Sequence, residues 1–193
     1  MNLEIRDARI DDAEIVAWTV LTALDMEIHD LDKFIKSCSA NDTLYSWRNA
    51  VVATVDKQAV GCLIGYEGSR YRELRERTWP QLWDDMDPEY LMSVEDETAP
   101  GEFYLDSMAI QPGHRGLSIG KKLMTYAIEK GKALGCKNAT LLVDTHKPRL
   151  EAYYRSLGFE VFAQMEYFGH IYNRMRLPNT ECRMERSKGA LKS

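Results

Sequence analysis

Apolar and polar positions along the chain predict a β-α-α-β-β segment, a polar stretch and then a β-α-β-α-β-β segment. Short apolar or β-branched runs predict strands at 3–6, 50–55, 59–64, 103–110, 139–143, 159–167 and 171–177. Helical spacing predicts helices after Asp11-Asp12, over 30–38, up to Leu134 and over 148–156. Hairpins mixed with crossover helices predict a mixed sheet in an α/β (α+β) domain.

Turn-forming residues divide these elements. A short polar turn at 56–58 connects the strands of one predicted hairpin, and Phe168-Gly169-His170 connects those of a second. Gly135 is expected to end a helix. Residues 67–83 form a charged helical pattern, whose apolar side carries Tyr71, Leu74, Thr78 and Leu82. We expect Pro80, Pro88 and Pro100 to break up the stretch 66–100. After Pro178 the chain turns polar, which predicts a loose tail.

Length and charge narrow the function classes. The 193 residues fit one domain, and the net charge of −5 argues against nucleic acid as a main partner. No apolar run is long enough to span a membrane, and the N-terminus lacks signal-peptide features, so we expect a cytoplasmic protein that does not bind membranes.

Cysteine and histidine positions give no sign of a disulfide framework or a metal site. The cysteines are far apart in sequence and are expected to be buried, reduced thiols: Cys38, Cys62, Cys136 and Cys182. The histidines show no metal-ligand spacing, so no metal site is predicted: His29, His114, His146 and His170.

The stretch 115–120, Arg-Gly-Leu-Ser-Ile-Gly, follows a predicted strand and opens a predicted helix. A strand, a small-residue turn and a helix in this order aim free backbone N–H groups at one point, which suits a phosphate. Taken alone, the stretch favours an ordinary strand–helix turn beside a solvated Lys121-Lys122 pair, and the phosphate-binding interpretation depends on the motifs that follow.

Three motifs in the same order resemble the GNAT family, the Gcn5-related N-acetyltransferases. These are Ile5-Arg-Asp-Ala8 before a helix, Ser107–Ile110 leading into Arg115–Gly120, and Tyr154 placed before Gly158-Phe159. The resemblance covers residues 3–177. It implies a GNAT-like domain over 1–177, followed by a polar tail over 178–193. The stretch 66–100 is interpreted as an insertion in this domain and as a candidate lid over the substrate.

The resemblance implies acetyl transfer from acetyl-CoA to an amine of a small molecule or peptide. It implies that the strand over 103–110 splays from 139–143 and that a backbone N–H near 108–110 meets the acetyl oxygen. The cofactor-binding residues it assigns are Met108, Ala109, Ile110, Arg115, Gly116, Leu117, Ser118, Ile119, Gly120, Lys121, Lys147 and Tyr154.

The same resemblance assigns Tyr154 as the acid that protonates the CoA thiolate. The general base stays open between Asp106, within the strand, and Glu102, at its start. Period-two alternation places Asp106 on one face with Tyr104 and Met108. His114 and His146 border the cofactor segment and are interpreted as loop histidines.

Two residues depart from the family pattern. Ser118 stands where the signature usually has its first Gly, and Ser enters positive φ at a cost, so the loop is expected to differ locally. The Ser118 hydroxyl could instead assist phosphate binding. Lys147 stands where Asn is common, which replaces an amide contact with a cation.

Charge is unevenly distributed around the phosphate-loop motif. Nine acids and no Lys or Arg lie between Thr78 and His114, whereas residues 115–155 hold nine bases and three acids. The basic block suits CoA phosphates. The acidic block, with Trp79 and Trp83, suits a wall for a cationic amine, unless it folds away as a solvated loop.

Two other functions stay open. A non-catalytic acyl-CoA-binding module would share the fold. A nucleotide-binding regulatory domain is disfavoured, since the loop is not GxGxxG and no acid follows at ribose-binding spacing. Exposed strands of the C-terminal hairpin are consistent with a homodimer.

Overall fold

One mixed sheet of seven strands organises the computed structural model, which describes residues 2–26 and 30–179. The predicted element order is confirmed, and the predicted loose tail after Pro178 lies almost entirely outside the described residues. The strands are β1 (Leu3–Asp7), β2 (Ala50–Val55), β3 (Gln58–Glu67), β4 (Glu102–Ile110), β5 (Asn138–Asp144), β6 (Glu160–Tyr167) and β7 (His170–Pro178). The helices are α1 (Ala13–Ala23), α2 (Leu31–Ser39), α3 (Tyr71–Leu82), α4 (Pro88–Ser93), α5 (Ile119–Ala133) and α6 (Pro148–Ser156).

The strands lie in the order β1-β2-β3-β4-β5-β7-β6. The β4–β5 pair is parallel, as its crossover through α5 requires, and the other pairs are antiparallel. This mixed sheet confirms the predicted fold class.

Alternating side chains on the strands build a core on each face of the sheet. On β2, Val52 packs with α1, α2 and α3, whereas Val51 and Ala53 pack with α5 on the opposite face. Helix α5 approaches β4 closely, since a Cβ at Gly131 would lie 2.6 Å from the Phe103 ring. This close contact fixes the end of α5 beside the start of β4.

Arg75 holds the segment 66–100 together, and the apolar side of α3 packs that segment against the core. The fully buried guanidinium of Arg75 lies over the rings of Tyr71 and Trp79, at 5.4 and 5.1 Å, and donates to the Val94 carbonyl oxygen at 2.9 Å. The predicted apolar side of this helix is confirmed, because Tyr71, Leu74, Thr78 and Leu82 are all buried. The insertion is therefore packed against the sheet.

Two local predictions are wrong. Pro80 does not break the chain but lies inside α3, near its end, where the missing N–H removes a single hydrogen bond and the Trp83 amide still donates to Trp79. The first hairpin turn is Asp56-Lys57, both at positive φ, so Gln58 already belongs to β3. Gly135, at φ 77°, ends α5 as predicted.

The described cysteines, Cys38, Cys62 and Cys136, are buried and free, as expected; Cys182 lies outside the described residues. In residues 2–26 and 30–179, no helix combines the length and the apolar character that crossing a membrane requires.

Candidate active site

A cleft opens where β4 and β5 separate. Their pairing is confined to Glu102–Tyr104 against Asn138–Thr140, so the rest of β4 has no partner on its β5 side, as the predicted splay requires. The cleft has a volume of about 580 Å³. Its walls include Tyr104, Asp106, Ser107 and Met108 from β4, Leu142, Val143 and Asp144 from β5, Lys147, Leu150 and Tyr154 around α6, and Trp79, Trp83, Met86 and Glu97 from the insertion.

A β-bulge places Asp106 in this cleft. Ser107 pairs with Ile64 and Leu105 pairs with Gly65, which leaves Asp106 as the extra residue. The bulge interrupts the period-two alternation. Asp106 shares the α1 face with Tyr104, as predicted, but Met108 packs on the α5 face, so the prediction that all three share one face is wrong.

The Asp106 carboxylate is held at both oxygens. Tyr66 donates to Oδ2 at 2.6 Å, and Ser107 donates to Oδ1 at 2.8 Å. Burial first, and then the negative charge of Glu97, raises the pKa of Asp106 to about 7, against the opposing effect of those two hydrogen bonds. A carboxyl group with this pKa can accept a proton near neutral pH.

Glu97 is the second carboxylate of the cleft, and three phenols surround it. Tyr71 and Tyr167 donate to Oε1 at 2.6 and 2.7 Å, and Tyr104 donates to Oε2. Burial, followed by the charge of Glu97, raises the pKa of each phenol, so all three remain protonated donors. The sequence interpretation counted Glu97 among the acids but assigned it no role, because its partners come from three separate elements.

Glu102 does not line the cleft. Its carboxylate accepts from Thr98 and from the Ala99 amide, both at 3.1 Å, and lies 3.4 Å from Arg174. Of the two candidates for the general base, only Asp106 lies in the cleft, so its position favours it over Glu102.

The insertion does not fold away from the cleft, but few of its acids face it. Asp84 pairs with Lys33 at 2.7 Å, and Asp96 pairs with Arg72 at 2.9 Å. Of the nine acids in the acidic block, all of them described, only Glu97 and Asp106 line the cleft, while Trp79 and Trp83 contribute apolar side chains to its wall.

Tyr154 projects from α6 into the cleft. Its ring contacts Tyr153 and Phe159, with centroids 5.4 and 6.0 Å apart. Burial, and to a smaller extent Tyr153, raises the pKa of Tyr154 to about 12. The phenol is therefore a proton donor throughout the neutral range.

The predicted phosphate loop connects β4 to α5. Gly116 has φ 81°, and Ser118, the N-cap of α5, has φ 58° and makes no side-chain capping hydrogen bond. Ser118 thus adopts the left-handed conformation that a glycine would take there, although its Cβ makes this costly. Arg115 donates from Nε to the Ile110 carbonyl oxygen at 3.1 Å, which holds its guanidinium beside the end of β4.

The remaining predicted cofactor residues lie around this junction. Met108 lines the cleft, Ala109 is buried, and Ile110 packs against the core next to α5. A Cβ at Gly120 would lie 3.3 Å from Ile110 Cδ1, so the first turn of α5 packs closely against the end of β4. Leu117 is exposed, Ile119 is buried in the core, and Lys121 is exposed on α5.

Lys147 caps the start of α6 at the edge of the cleft. Its Nζ lies 3.4 Å from Asp25 Oδ2, just past the end of α1, and both side chains are largely exposed. The ion pair joins the two sides of the cleft.

Of the predicted loop histidines, His146 lies in the loop before α6 as expected; His29 lies outside the described residues. His114 lies on a short 3-10 helix before the phosphate loop, whereas His146 and His170 flank Asp144 at the rim of the cleft. The spacing of the histidines along the chain therefore did not predict that Asp144, His146 and His170 lie together in the fold.

A protein-family model for the acetyltransferase (GNAT) family matches residues 25–159, more than half of the chain. The chain belongs to the GNAT family of acetyltransferases. The prediction of an acetyl-CoA-dependent N-acetyltransferase enzyme is thereby confirmed at the level of the family. Comparison with curated protein sequences gave no significant match.

Solved GNAT-type structures share the fold over nearly the whole chain. A crystal structure described as an acetyltransferase is 27% identical, with a TM-score of 0.71 and coverage of 91% of this chain and 98% of its own. An N-acetyltransferase from Staphylococcus aureus Mu50 is 24% identical, with a TM-score of 0.74 and coverage of 90% and 100%. The PaiA N-acetyltransferase from Thermoplasma acidophilum, solved with coenzyme A, is 15% identical, with a TM-score of 0.58 and coverage of 93% and 100%.

Proposed function

We propose that this GNAT protein transfers an acetyl group from acetyl-CoA to a primary amine of a small molecule or peptide, by direct attack in a ternary complex. The observation that carries the proposal is the cleft at the β4–β5 splay, which holds Asp106 and Glu97 near one wall and Tyr154 on another. A proton acceptor and a proton donor are the two groups that such a transfer needs.

The junction of β4 and α5 fits the cofactor. Alternate backbone groups of Met108–Ile110 point away from β3 into the splay, where a pantetheine arm can pair with them. The first-turn N–H groups of α5 lack intrahelical partners and favour a pyrophosphate, with Arg115 and Lys121 adding positive charge. When bound, acetyl-CoA supplies the acetyl thioester.

Asp106 accepts the proton that the ammonium form of the acceptor must lose. Its raised pKa lets the carboxyl exchange a proton near pH 7, and Tyr66 and Ser107 hold it in place. Glu97, fixed by its three tyrosines, places a second carboxylate beside the amine, which favours a cationic acceptor.

Tyr154 donates a proton to the departing sulfur. With its pKa raised to about 12, the phenol is fully protonated at neutral pH. A backbone N–H of β4 near Met108–Ile110 donates to the acetyl oxygen as that oxygen gains charge.

The cleft favours a cationic acceptor with an apolar body. Its described lining residues include one cation, Lys147, and four acids: Asp25, Glu97, Asp106 and Asp144. Aromatic side chains complete the walls: Tyr45, Trp79, Trp83, Tyr104, Tyr154, Tyr167, Phe168 and Tyr172. Such rings attract ammonium groups and pack against hydrocarbon.

Acetyl-CoA turnover, measured as free thiol, tests the proposal across arylalkylamines, polyamines, amino acids, aminoglycosides and peptide N-termini. Saturable, amine-dependent thiol release is expected, with D106N as the inactive control and D84N, which alters an exposed acid outside the cleft, as the active one. CoA binding without turnover on any amine would instead establish a non-catalytic acyl-CoA-binding module.

A further inference from the structure

Two histidines and an aspartate from three segments converge at the rim of the cleft. His146 Nδ1 lies 3.0 Å from Asp144 Oδ1, and His170 Nδ1 lies 3.4 Å from Asp144 Oδ2. Asp144 ends β5, His146 lies in the loop before α6, and His170 begins β7. Thr145 ties the loop to β7, since its amide and its hydroxyl both donate to the Ile171 carbonyl oxygen at 3.0 Å.

The spacing of these donor atoms matches that of ligands on one metal ion. One ligand atom from each of the three side chains lies within 4.8 Å of the others. Ligand atoms about 2.1 Å from a tetrahedral zinc ion are roughly 3.4 Å apart. The two histidine–aspartate separations, 3.0 and 3.4 Å, are of that order, although they run to different oxygens of Asp144 and the shorter one is a hydrogen bond. Metal binding would therefore replace these two contacts and draw the three side chains onto one ion.

In this cluster the aspartate is mostly buried and held in place, whereas the two imidazole rings are open to solvent. The Asp144 side chain is only 14% exposed, and its Oδ1 also accepts the His146 backbone N–H at 2.8 Å. The imidazoles of His146 and His170 are 81% and 57% exposed. An ion can therefore reach a fixed carboxylate from solvent, while the exposed rings close on it.

We propose that Asp144, His146 and His170 form a binding site for a divalent transition metal such as zinc, and that water completes its coordination. Two imidazole nitrogens and one carboxylate oxygen are a zinc ligand set, whereas magnesium and calcium prefer oxygen ligands alone. The metal would clamp the loop over 145–147 to β7. Since Asp144 also lines the cleft, the clamp would stiffen the mouth through which an acceptor enters.

Isothermal titration of metal-free, tag-free protein with zinc chloride tests the site. One zinc per chain is expected, with at least tenfold weaker binding in H170Q and loss of binding in the triple variant D144N/H146Q/H170Q. The matched control is E166Q, an exposed acid on β6 of the same hairpin, which should bind as the wild type does. Magnesium chloride should give no comparable heat.

The triple variant keeps all four cysteines, so zinc bound through thiols would persist in it and would overturn the proposal. Absence of saturable zinc binding to the wild type would do the same. If the triple variant does not fold, the thermal shift with zinc decides: the unfolding temperature should rise in wild type and E166Q and should rise clearly less in H170Q at the same zinc concentration. Equal rises in all three proteins would overturn the proposal.

Discussion

Tyr66 donates its phenolic hydroxyl to Asp106 Oδ2 at 2.6 Å, from β3 across to the bulge of β4. Because Ser107 holds the other carboxylate oxygen, Asp106 cannot rotate without losing a hydrogen bond. The bulge aims this carboxyl into the cleft, and the two bonds fix it there. Asp106 is thus positioned before any acceptor arrives.

Replacing Asp106 should remove most of the activity. D106N retains an oxygen that can accept from Tyr66 but cannot take the ammonium proton, so kcat is expected to fall on the order of 10²-fold or more. The KM for acetyl-CoA should change little, because the phosphate loop is untouched. Steady-state kinetics beside D84N measure this, and an unchanged kcat in D106N would remove Asp106 from the reaction.

Removing the charge of Glu97 should shift the pH dependence of the reaction through the pKa of Asp106. Glu97 raises the pKa of Asp106, so its neutralisation in E97Q must lower that pKa. The acidic limb of the kcat/KM profile, expected near pH 7 in the wild type, should therefore move to lower pH. A profile measured with one acceptor from pH 5 to 9 detects the shift; movement to higher pH would contradict the assignment.

Tyr154 should act as the proton donor over the whole neutral range. Y154F is expected to reduce kcat tenfold or more while leaving CoA affinity nearly unchanged. Because the pKa of Tyr154 is about 12, its ionisation should not cause any loss of rate below about pH 10. Y126F, on α5 against the core, is the matched control; equal kcat values in the two variants would show that Tyr154 does not donate the proton.

The family and the order of elements could be predicted because they depend on local patterns. The signature at Arg115–Gly120, Tyr154 before Gly158-Phe159 and the apolar periodicity each occupy one short segment. The same holds for the apolar side of α3, which the spacing of Tyr71, Leu74, Thr78 and Leu82 defines.

The geometry of the candidate base could not be predicted, since it depends on long-range contacts. The bulge at Asp106 arises from its register with β3, and Glu97 gains its tyrosines from α3, β4 and β6. The cluster of Asp144, His146 and His170 could not be predicted either. His170 is distant from the other two in sequence, and it comes beside them only because β7 pairs with β5.

The phosphate loop offers a matched test of backbone conformation. Neither Gly113 nor Gly116 has a neighbour within 4 Å of an added Cβ, but only Gly116 has positive φ. G116A should therefore lose about 1–2 kcal/mol of unfolding free energy and weaken CoA binding, whereas G113A should change neither appreciably. S118G should gain up to about 1 kcal/mol, since it relieves the same strain. Urea unfolding and CoA titration measure both effects, and equal losses in G113A and G116A would contradict the argument.

Asp106 should also make the fold less stable as the pH rises. Its pKa of about 7 in the folded protein exceeds the ordinary value of 3.8, so the folded state holds the proton more tightly than the unfolded chain does. The stabilisation from the protonated carboxyl is complete below about pH 4 and is lost as the pH rises through 7. D106N lacks this titration. Its unfolding temperature relative to wild type should therefore increase between pH 5 and pH 8, while the D84N difference should stay nearly constant. Thermal unfolding at the two pH values measures this difference. If the unfolding temperature of D106N relative to wild type fell between pH 5 and pH 8, the pKa of Asp106 would not be raised in the folded protein.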